Sequence, residues 1–196
     1  MNNSINHIAT YTGKSFDLLN PKPEMVCIED IAHSLAYQCR YTGHTRQFYS
    51  VAQHCVLMAE NTELPGDPMV KLLHDAAEAY IGDIAKPWKN LLFVGNFGAP
   101  HLPAVPVHKF EQRIQDVVGL ALGIDLPYSA EVKESDIRMM ATEVRDLMPV
   151  MPPSFEWGID VSNPVAEIII PWLPEPSEEI FLAMYRLLKL KRTKIC

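Results

Sequence analysis

With 196 residues, 48% of them hydrophobic, the chain has enough apolar surface for one substantial core, and a single domain over residues 1–196 is expected. A net charge of −7 argues against a nucleic-acid polymer as the main partner, while a local basic pocket for one small anion stays compatible with it. Four cysteines, Cys27, Cys39, Cys55 and Cys196, show no CxxC pair and no regular spacing, which argues against a zinc ribbon or a disulfide framework.

The first three cysteines neighbour apolar residues and read as small core residues. No run of 18 apolar residues occurs, and the polar start "MNNSINH" lacks the layout of a signal peptide. No membrane partner is expected, and the expected compartment is cytoplasmic.

In chain order, "IATYTGKSFDLLNPKP" reads as a small hairpin turning at Thr12-Gly13-Lys14, a lid or edge element. "CIEDIAHSLAYQCR" follows as an amphipathic helix with Ile28, Ile31, Ala32, Leu35, Ala36 and Cys39 on one face, ending near Gly43. A second helix runs from Phe48 to Asn61 and is stopped by Leu64-Pro65-Gly66-Asp67-Pro68. The third spans Met69 to about Ile81. Residues Phe93 to Pro106, rich in Gly and Pro, read as a long loop that gates a pocket or mediates subunit contact. Two strongly periodic helices come next, "VHKFEQRIQDVVGLALG" and "AEVKESDIRMMATEVRDLM". The Pro-rich span from Pro149 to Pro176 holds one strand-like piece, "VAEIIIPWL", before a last helix from Ser177 toward Lys191. The sum is a mainly α bundle of six or more helices with a small β-hairpin.

Chemistry concentrates in "KLLHDAAEAYIGDIAKPW". His74 and Asp75 are adjacent, so on a regular helix their side chains diverge by about 100°, and one ion reaches both only close to the helix surface. His54 sits among apolar neighbours in "SVAQHC", and Asp136 opens a helix whose Ile137, Met140 and Ala141 mark the core face. Two imidazoles and two carboxylates are a competent ligand set for a divalent transition metal. Each of these histidines, taken alone, reads first as a hydrogen-bonded core residue, and a lone His-Asp pair is a weaker signal still.

The order His…His-Asp…Asp on successive helices resembles the HD-domain metal-dependent phosphohydrolase superfamily. The longer strings "DIAHSLAYQCRYTGHTRQFYSVAQH", "LLHDAAEAYIGDIAKPWKNLL" and "DIRMMATEVRDLM" resemble its phage and prophage branch, related to bacterial 5'-deoxynucleotidases and to small phage dATP triphosphohydrolases. The resemblance covers most of residues 11–148, with a metal-site core of about 28–148, and the C-terminal third matches only loosely. It implies that His54, His74, Asp75 and Asp136 hold the metal and that Glu78, on the same helical face as His74 and Asp75, assists proton transfer. Asp83 is implied near the reacting phosphate, against a competing reading as a turn or capping residue.

For the substrate phosphate, the resemblance points to Arg40, with Arg46, Lys86 and Lys89 as further cations, each also readable as a solvated surface charge. Pro87 is implied to exclude a 2'-hydroxyl, Tyr41 or Trp88 to stack on a base, and His44 to touch a phosphate. His7, His33, His101 and His108 show no partner pattern. The implied activity is hydrolysis of deoxynucleotide 5'-phosphates, a monophosphate giving deoxynucleoside and phosphate and a triphosphate giving deoxynucleoside and triphosphate. Adenine deoxynucleotides (dATP, dADP, dAMP) are the leading substrates, as in phages that replace adenine by 2-aminoadenine, and the compartment would then be the host cytoplasm. The alternatives are a broad-specificity 5'-deoxynucleotidase and a non-catalytic HD-fold nucleotide-binding protein. The resemblance leaves open Zn, Co, Mn, Fe, Ni or Mg as the ion, and it implies a homo-oligomer, dimer or hexamer. No heptad or exposed stripe in the sequence specifies a subunit number.

Overall fold

The computed structural model describes residues 6–95 and 103–193. The protein is mainly helical, with two small antiparallel hairpins. The first pairs β1, His7–Ala9, with β2, Ser15–Asp17, and Ile8 faces Phe16 in register. Phe16 is buried and stacks on Tyr80, so the hairpin is clamped to the helical body by one aromatic plug.

Helix α1 covers Ile28–Tyr37 and buries Ile31, Ala32, Leu35 and Ala36, the face that the periodicity predicts. It stops six residues before Gly43, because Cys39 leaves the helix to bridge Ser50 in an antiparallel contact. A short 3-10 turn, Arg40–Gly43, then connects to α2, Val51–Glu60. Ser50 caps α2 by accepting from the Gln53 N–H. Eight of the ten residues of α2 are buried, among them Gln53 and His54, so α2 is the axial helix and α1, α3, α7 and α8 pack around it.

Asp67 caps α3, Pro68–Leu73, by accepting from the Met69 and Val70 N–H groups, with Pro68 at the first turn where its missing donor costs nothing. The predicted third helix does not run unbroken to Ile81. It is interrupted over residues 74–77 and resumes as α4, Glu78–Ile81. A further short helix, α5, spans Lys86–Lys89. The ends of the predicted Phe93–Pro106 loop pair as β3, Phe93–Val94, and β4, Val105–Pro106; residues 96–102, with His101, lie outside the described residues.

Helices α6, Val107–Leu122, and α7, Ala130–Leu147, follow the predicted pattern, with Gly123 in the left-handed conformation closing α6 and Ser129 capping α7. The last helix, α8, spans Pro174–Thr193, three residues longer at its start than predicted. The strand-like "VAEIIIPWL" is not a strand. It is an extended strap whose backbone is satisfied by side chains of α2 and α7: Thr142 Oγ1 takes the Val165 N–H, Asp146 the Ile169 N–H, and Gln53 bonds both the Ile170 carbonyl and the Trp172 N–H. Of the cysteines expected in the core only Cys55 is buried; Cys27 and Cys39 are half-buried, and Cys196 lies outside the described residues. Among the described residues no helix is long and apolar enough to cross a membrane.

Candidate metal centre

Four donor atoms form a closed ring in the interior. His54 Nε2 lies 3.3 Å from Asp136 Oδ1, Asp136 Oδ1 lies 3.9 Å from His74 Nε2, His74 Nε2 lies 3.2 Å from Asp75 Oδ2, and Asp75 Oδ2 lies 4.0 Å from His54 Nε2. Donors held about 2.1 Å from one ion stand roughly 3.0 Å apart at a right angle and about 4.2 Å apart in trans, so all four edges suit a single shared cation.

The histidine ring nitrogens give a second, independent sign. His54 Nδ1 donates to Glu143 Oε1 at 2.6 Å, and His74 Nδ1 donates to the Lys71 carbonyl at 2.8 Å. Both partners are pure acceptors, Glu143 because Arg40 and His54 hold its carboxyl below the usual range against the cost of burial. Each imidazole therefore carries a proton at Nδ1 and turns Nε2 to the ring, where, against burial, Glu143 and Asp136 raise His54 and Asp75 raises His74 above the usual imidazole range. Both Nε2 atoms are buried without a hydrogen-bond partner among the described residues. Two buried Nε2 atoms facing two carboxylates call for positive charge between them, supplied by a proton on the imidazoles or by a shared metal cation. The cluster of His54, His74 and Asp136, with Asp75 and Cys55 beside it, can hold a metal ion. Burial pushes the Cys55 thiol up to about 11, and its Sγ lies 3.9 Å from His74 Nδ1, so it packs as a protonated thiol behind the imidazole.

The chain delivers these candidate ligands in two ways. His54 and Asp136 each come from a regular helix, α2 and α7. His74 and Asp75 come from the break between α3 and α4, where the bonds tighten to the i→i−3 type: Ala76 N–H to Leu73 O, Glu78 N–H to Asp75 O, and Tyr80 N–H to Ala77 O. In an unbroken helix the Ala77 N–H would bond the Leu73 carbonyl. Here the amide of Gln115, from α6, stands between them, its Oε1 accepting from the Ala77 N–H at 2.9 Å and its Nε2 donating to the Leu73 carbonyl at 2.6 Å. Gln115 thus satisfies both backbone groups that the break strands.

Glu143 is the corresponding support on the α7 side. It follows Asp136 by seven residues, hence shares its helical face, and is fully buried. Besides His54 it accepts from Tyr41 Oη at 2.6 Å and Arg40 Nε at 3.3 Å. These bonds hold a strained turn: Tyr41 and Thr42 both have positive φ, 54° and 53°, conformations that cost side-chain-bearing residues about 1–2 kcal/mol each.

Of the residues singled out in the sequence, Arg40 lies at the ring, its Nη1 3.4 Å from Asp75 Oδ2. Against burial, His74, His54 and Arg40 keep Asp75 below the usual carboxylate range. Glu78 is buried beside it. Burial and the Asp75 charge raise its carboxyl well above the usual range despite Lys89, whose ammonium lies 2.9 Å from Oε1, and Oε2 has no partner among the described residues. Lys89 also pairs with Glu111 at 2.7 Å, so its charge is committed to two carboxylates. Asp83 is aimed by the positive φ of Gly82 and by its own N–H bond to Gln38; burial, then Asp75, raise its carboxyl against Arg40.

Lys86, Pro87 and Trp88 sit exposed on α5, and the Tyr41 hydroxyl is spent on Glu143. His44 is exposed. Arg46 is not brought to the ring. It docks on the far end of α7, its Nη2 bonding the Asp146 carbonyl, ten residues and about 15 Å along the helix from Asp136. Sequence reasoning missed Glu143, Gln115 and Tyr128, whose hydroxyl donates to Asp136 Oδ2 at 2.8 Å. Glu143 and Gln115 carry a legible signal, a polar residue on the core face of an amphipathic helix; Tyr128, in a loop, carries none.

Fold and site together define a mainly α protein built around a buried histidine–carboxylate centre able to hold a metal ion. No established family description matches the chain. It is 35% identical over 182 residues to the uncharacterized protein YfdR of Escherichia coli strain K12, covering 91% of this chain and 93% of that one, and it belongs to the same family. It is also 33% identical over 132 residues to the uncharacterized protein RCAP_rcc00048 of Rhodobacter capsulatus, covering 63% of this chain and 62% of that one.

Proposed function

We propose that the protein is an HD-domain metal-dependent phosphohydrolase that hydrolyses deoxynucleotide 5'-phosphates. The observation that carries this reading is the pair of buried Nε2 atoms, without a hydrogen-bond partner among the described residues, that face Asp75 and Asp136, with a partner-free oxygen of Glu78 nearby. Bound there, a divalent cation would supply Lewis acidity and a water of lowered pKa. Two imidazoles favour Zn, Co, Mn, Fe or Ni over Mg, which prefers an all-oxygen shell.

The chain's own groups divide the remaining work. Arg40 stands beside Asp75 and offers its guanidinium to a phosphate, while its Nε bond to Glu143 fixes the plane of the fork. Glu78, its carboxyl raised by burial and by the Asp75 charge, moves the proton between water and the leaving 5'-oxygen. Asp83, whose charge acts on Arg40 and Glu78, orients the phosphate edge. Pro87 at the exposed start of α5 is the candidate wall against a ribose 2'-hydroxyl. A monophosphate gives deoxynucleoside and phosphate, a triphosphate gives deoxynucleoside and triphosphate, and adenine deoxynucleotides are the first to try.

The test is a panel of dNMPs and dNTPs against protein loaded with Mn, Co, Zn or Mg, scored by deoxynucleoside release; no turnover with any combination sinks the enzyme reading. Comparing dAMP with AMP tests Pro87, and equal rates would remove the steric argument. One contact favours a second reading, a non-catalytic nucleotide-binding protein: the Lys89 ammonium on Glu78 neutralises the proposed proton carrier. Binding of dAMP without turnover would select it.

A further inference from the structure

Glu78 opens α4 and Asp83 follows its end, and α4 has only four residues, a single turn that does not stand by itself in water. The break before it is completed by Gln115. Its end is completed by a second glutamine, Gln38, the C-terminal cap of α1. Gln38 Nε2 donates to the Glu78 carbonyl at 3.1 Å and to Ser34 Oγ at 2.8 Å, while Gln38 Oε1 accepts from the Asp83 N–H at 2.8 Å. The partners settle which way the amide points. The Glu78 carbonyl only accepts and the Asp83 N–H only donates, so a flipped amide would set acceptor against acceptor and donor against donor. Ser34 Oγ donates in turn to the Ala79 carbonyl at 2.9 Å, so side chains of α1 cap two successive carbonyls of α4.

The main chain of Gln38 is tied to a different element. Its carbonyl accepts at 3.2 Å from the N–H of Val51, the first residue of the helix that carries His54. Two residues on, the Arg40 N–H donates to the Tyr49 carbonyl at 2.9 Å. Gln38 therefore joins α2, part of the frame of the donor ring, to the short helix that sets the two carboxylates outside the ring. We propose that Gln38 is a positioning residue for the hydrolysis, holding Glu78 and Asp83 in register with the ring through the backbone of α4. This rests on the hydrolase reading. The partners of its amide are Ser34 and main-chain groups of Glu78 and Asp83, so the four ring donors draw on none of these bonds.

Gln38→Met keeps the length of the side chain and removes all three bonds. A reacting group displaced by about 1 Å loses up to about a hundredfold in rate, so kcat for the best deoxynucleotide should fall about tenfold to a hundredfold. KM should change by less than about threefold, because Arg40 is oriented by Glu143, and elemental analysis should find the metal content of the wild type. Because Gln38 acts largely through Glu78, adding Gln38→Met to Glu78→Gln should cost much less than it costs the wild type. An unchanged kcat in Gln38→Met overturns the proposal, and so does an undiminished further loss in the Glu78→Gln background. Loss of metal together with rate overturns it as well, by making Gln38 a support of the ring. If Gln38→Met does not fold, Ser34→Ala decides: it removes one partner of the Gln38 amide and the bond to Ala79, and kcat should fall about threefold to tenfold with metal retained, an unchanged kcat being the contrary result. A wild type without turnover removes the hydrolase reading and this proposal together, whereas an active wild type with an equally active Gln38→Met removes the proposal alone.

Discussion

The two halves of the candidate metal centre are built on opposite principles. On the α2–α7 side, His54 and Asp136 are single inward positions of unbroken helices, and their support, Glu143, lies on the same face of α7 two turns on. On the α3–α4 side, two adjacent residues supply ligands, and the helix that carries them is interrupted there, with Gln115 inserted into its hydrogen-bond ladder. A regular helix presents one residue per turn to a point and so needs no local adjustment. Placing neighbours on one ion requires a local departure from the ladder, and the polar groups that this strands must be satisfied from another element.

The largest expected effect is the loss of either half outright. Asp75→Ala or His54→Ala should abolish bound metal, read by elemental analysis, and activity with it. A variant that keeps its metal would show that the ring is not the ligand set. Chelation of wild-type protein tests the same point without mutation: a ligand at 100 times its dissociation constant adds about 2.7 kcal/mol, so the melting temperature should fall on metal removal and recover on return.

Glu78→Gln should separate binding from turnover, retaining metal while losing most of the rate, about a hundredfold or more for a lost proton carrier. Full activity in this variant would remove Glu78 from the proposed mechanism.

The comparison sharpens at the supports. Glu143→Gln weakens the charge-assisted bond to His54 and unties Arg40 and Tyr41, so metal affinity should fall about tenfold to a hundredfold, with increased exchange of the residue 41–43 amides. Gln115→Met keeps the shape of the side chain but strands the Leu73 carbonyl and the Ala77 N–H, a cost of about 1–3 kcal/mol per group. If Gln115 positions the ligand turn, that cost appears in metal affinity as well as in melting temperature; a Gln115→Met protein with lowered stability and unchanged affinity would confine Gln115 to the fold.

What the sequence made legible follows the same division. Regular periodicity in α1, α2, α6 and α7, punctuated by Ser50, Asp67 and Ser129, announced the helices; His54 and Asp136 stood out as polar residues in two of them, and with the adjacent His74 and Asp75 they became a ligand set through the family resemblance. The break at residues 74–77 was illegible because the side chain that satisfies it, Gln115, lies some forty positions away in the chain. The strap failed for a related reason. Ile168 and Ile170 point outward and Ile169 inward, the alternation of a strand, but its backbone partners are side chains of α2 and α7. Alternation reports an extended chain; only tertiary contacts decide what satisfies it. Arg46 shows the same limit, since proximity in sequence to His54 did not bring it to the ring.

The smallest expected effect lies at Tyr128, a support that reaches the centre from a loop. Its ring is half exposed, and its hydroxyl donates to Asp136 Oδ2, the oxygen turned away from His54. Tyr128→Phe removes one hydrogen bond to a charged acceptor but leaves that oxygen open to solvent, so water replaces the lost donor. The expected loss is about 0.5–1.5 kcal/mol, a threefold to tenfold drop in metal affinity, with the melting temperature of the metal-free protein unchanged. A loss as large as that of Glu143→Gln would show that a loop residue orients a ligand as firmly as a buried helical one, and the distinction between the halves would then lie in burial alone.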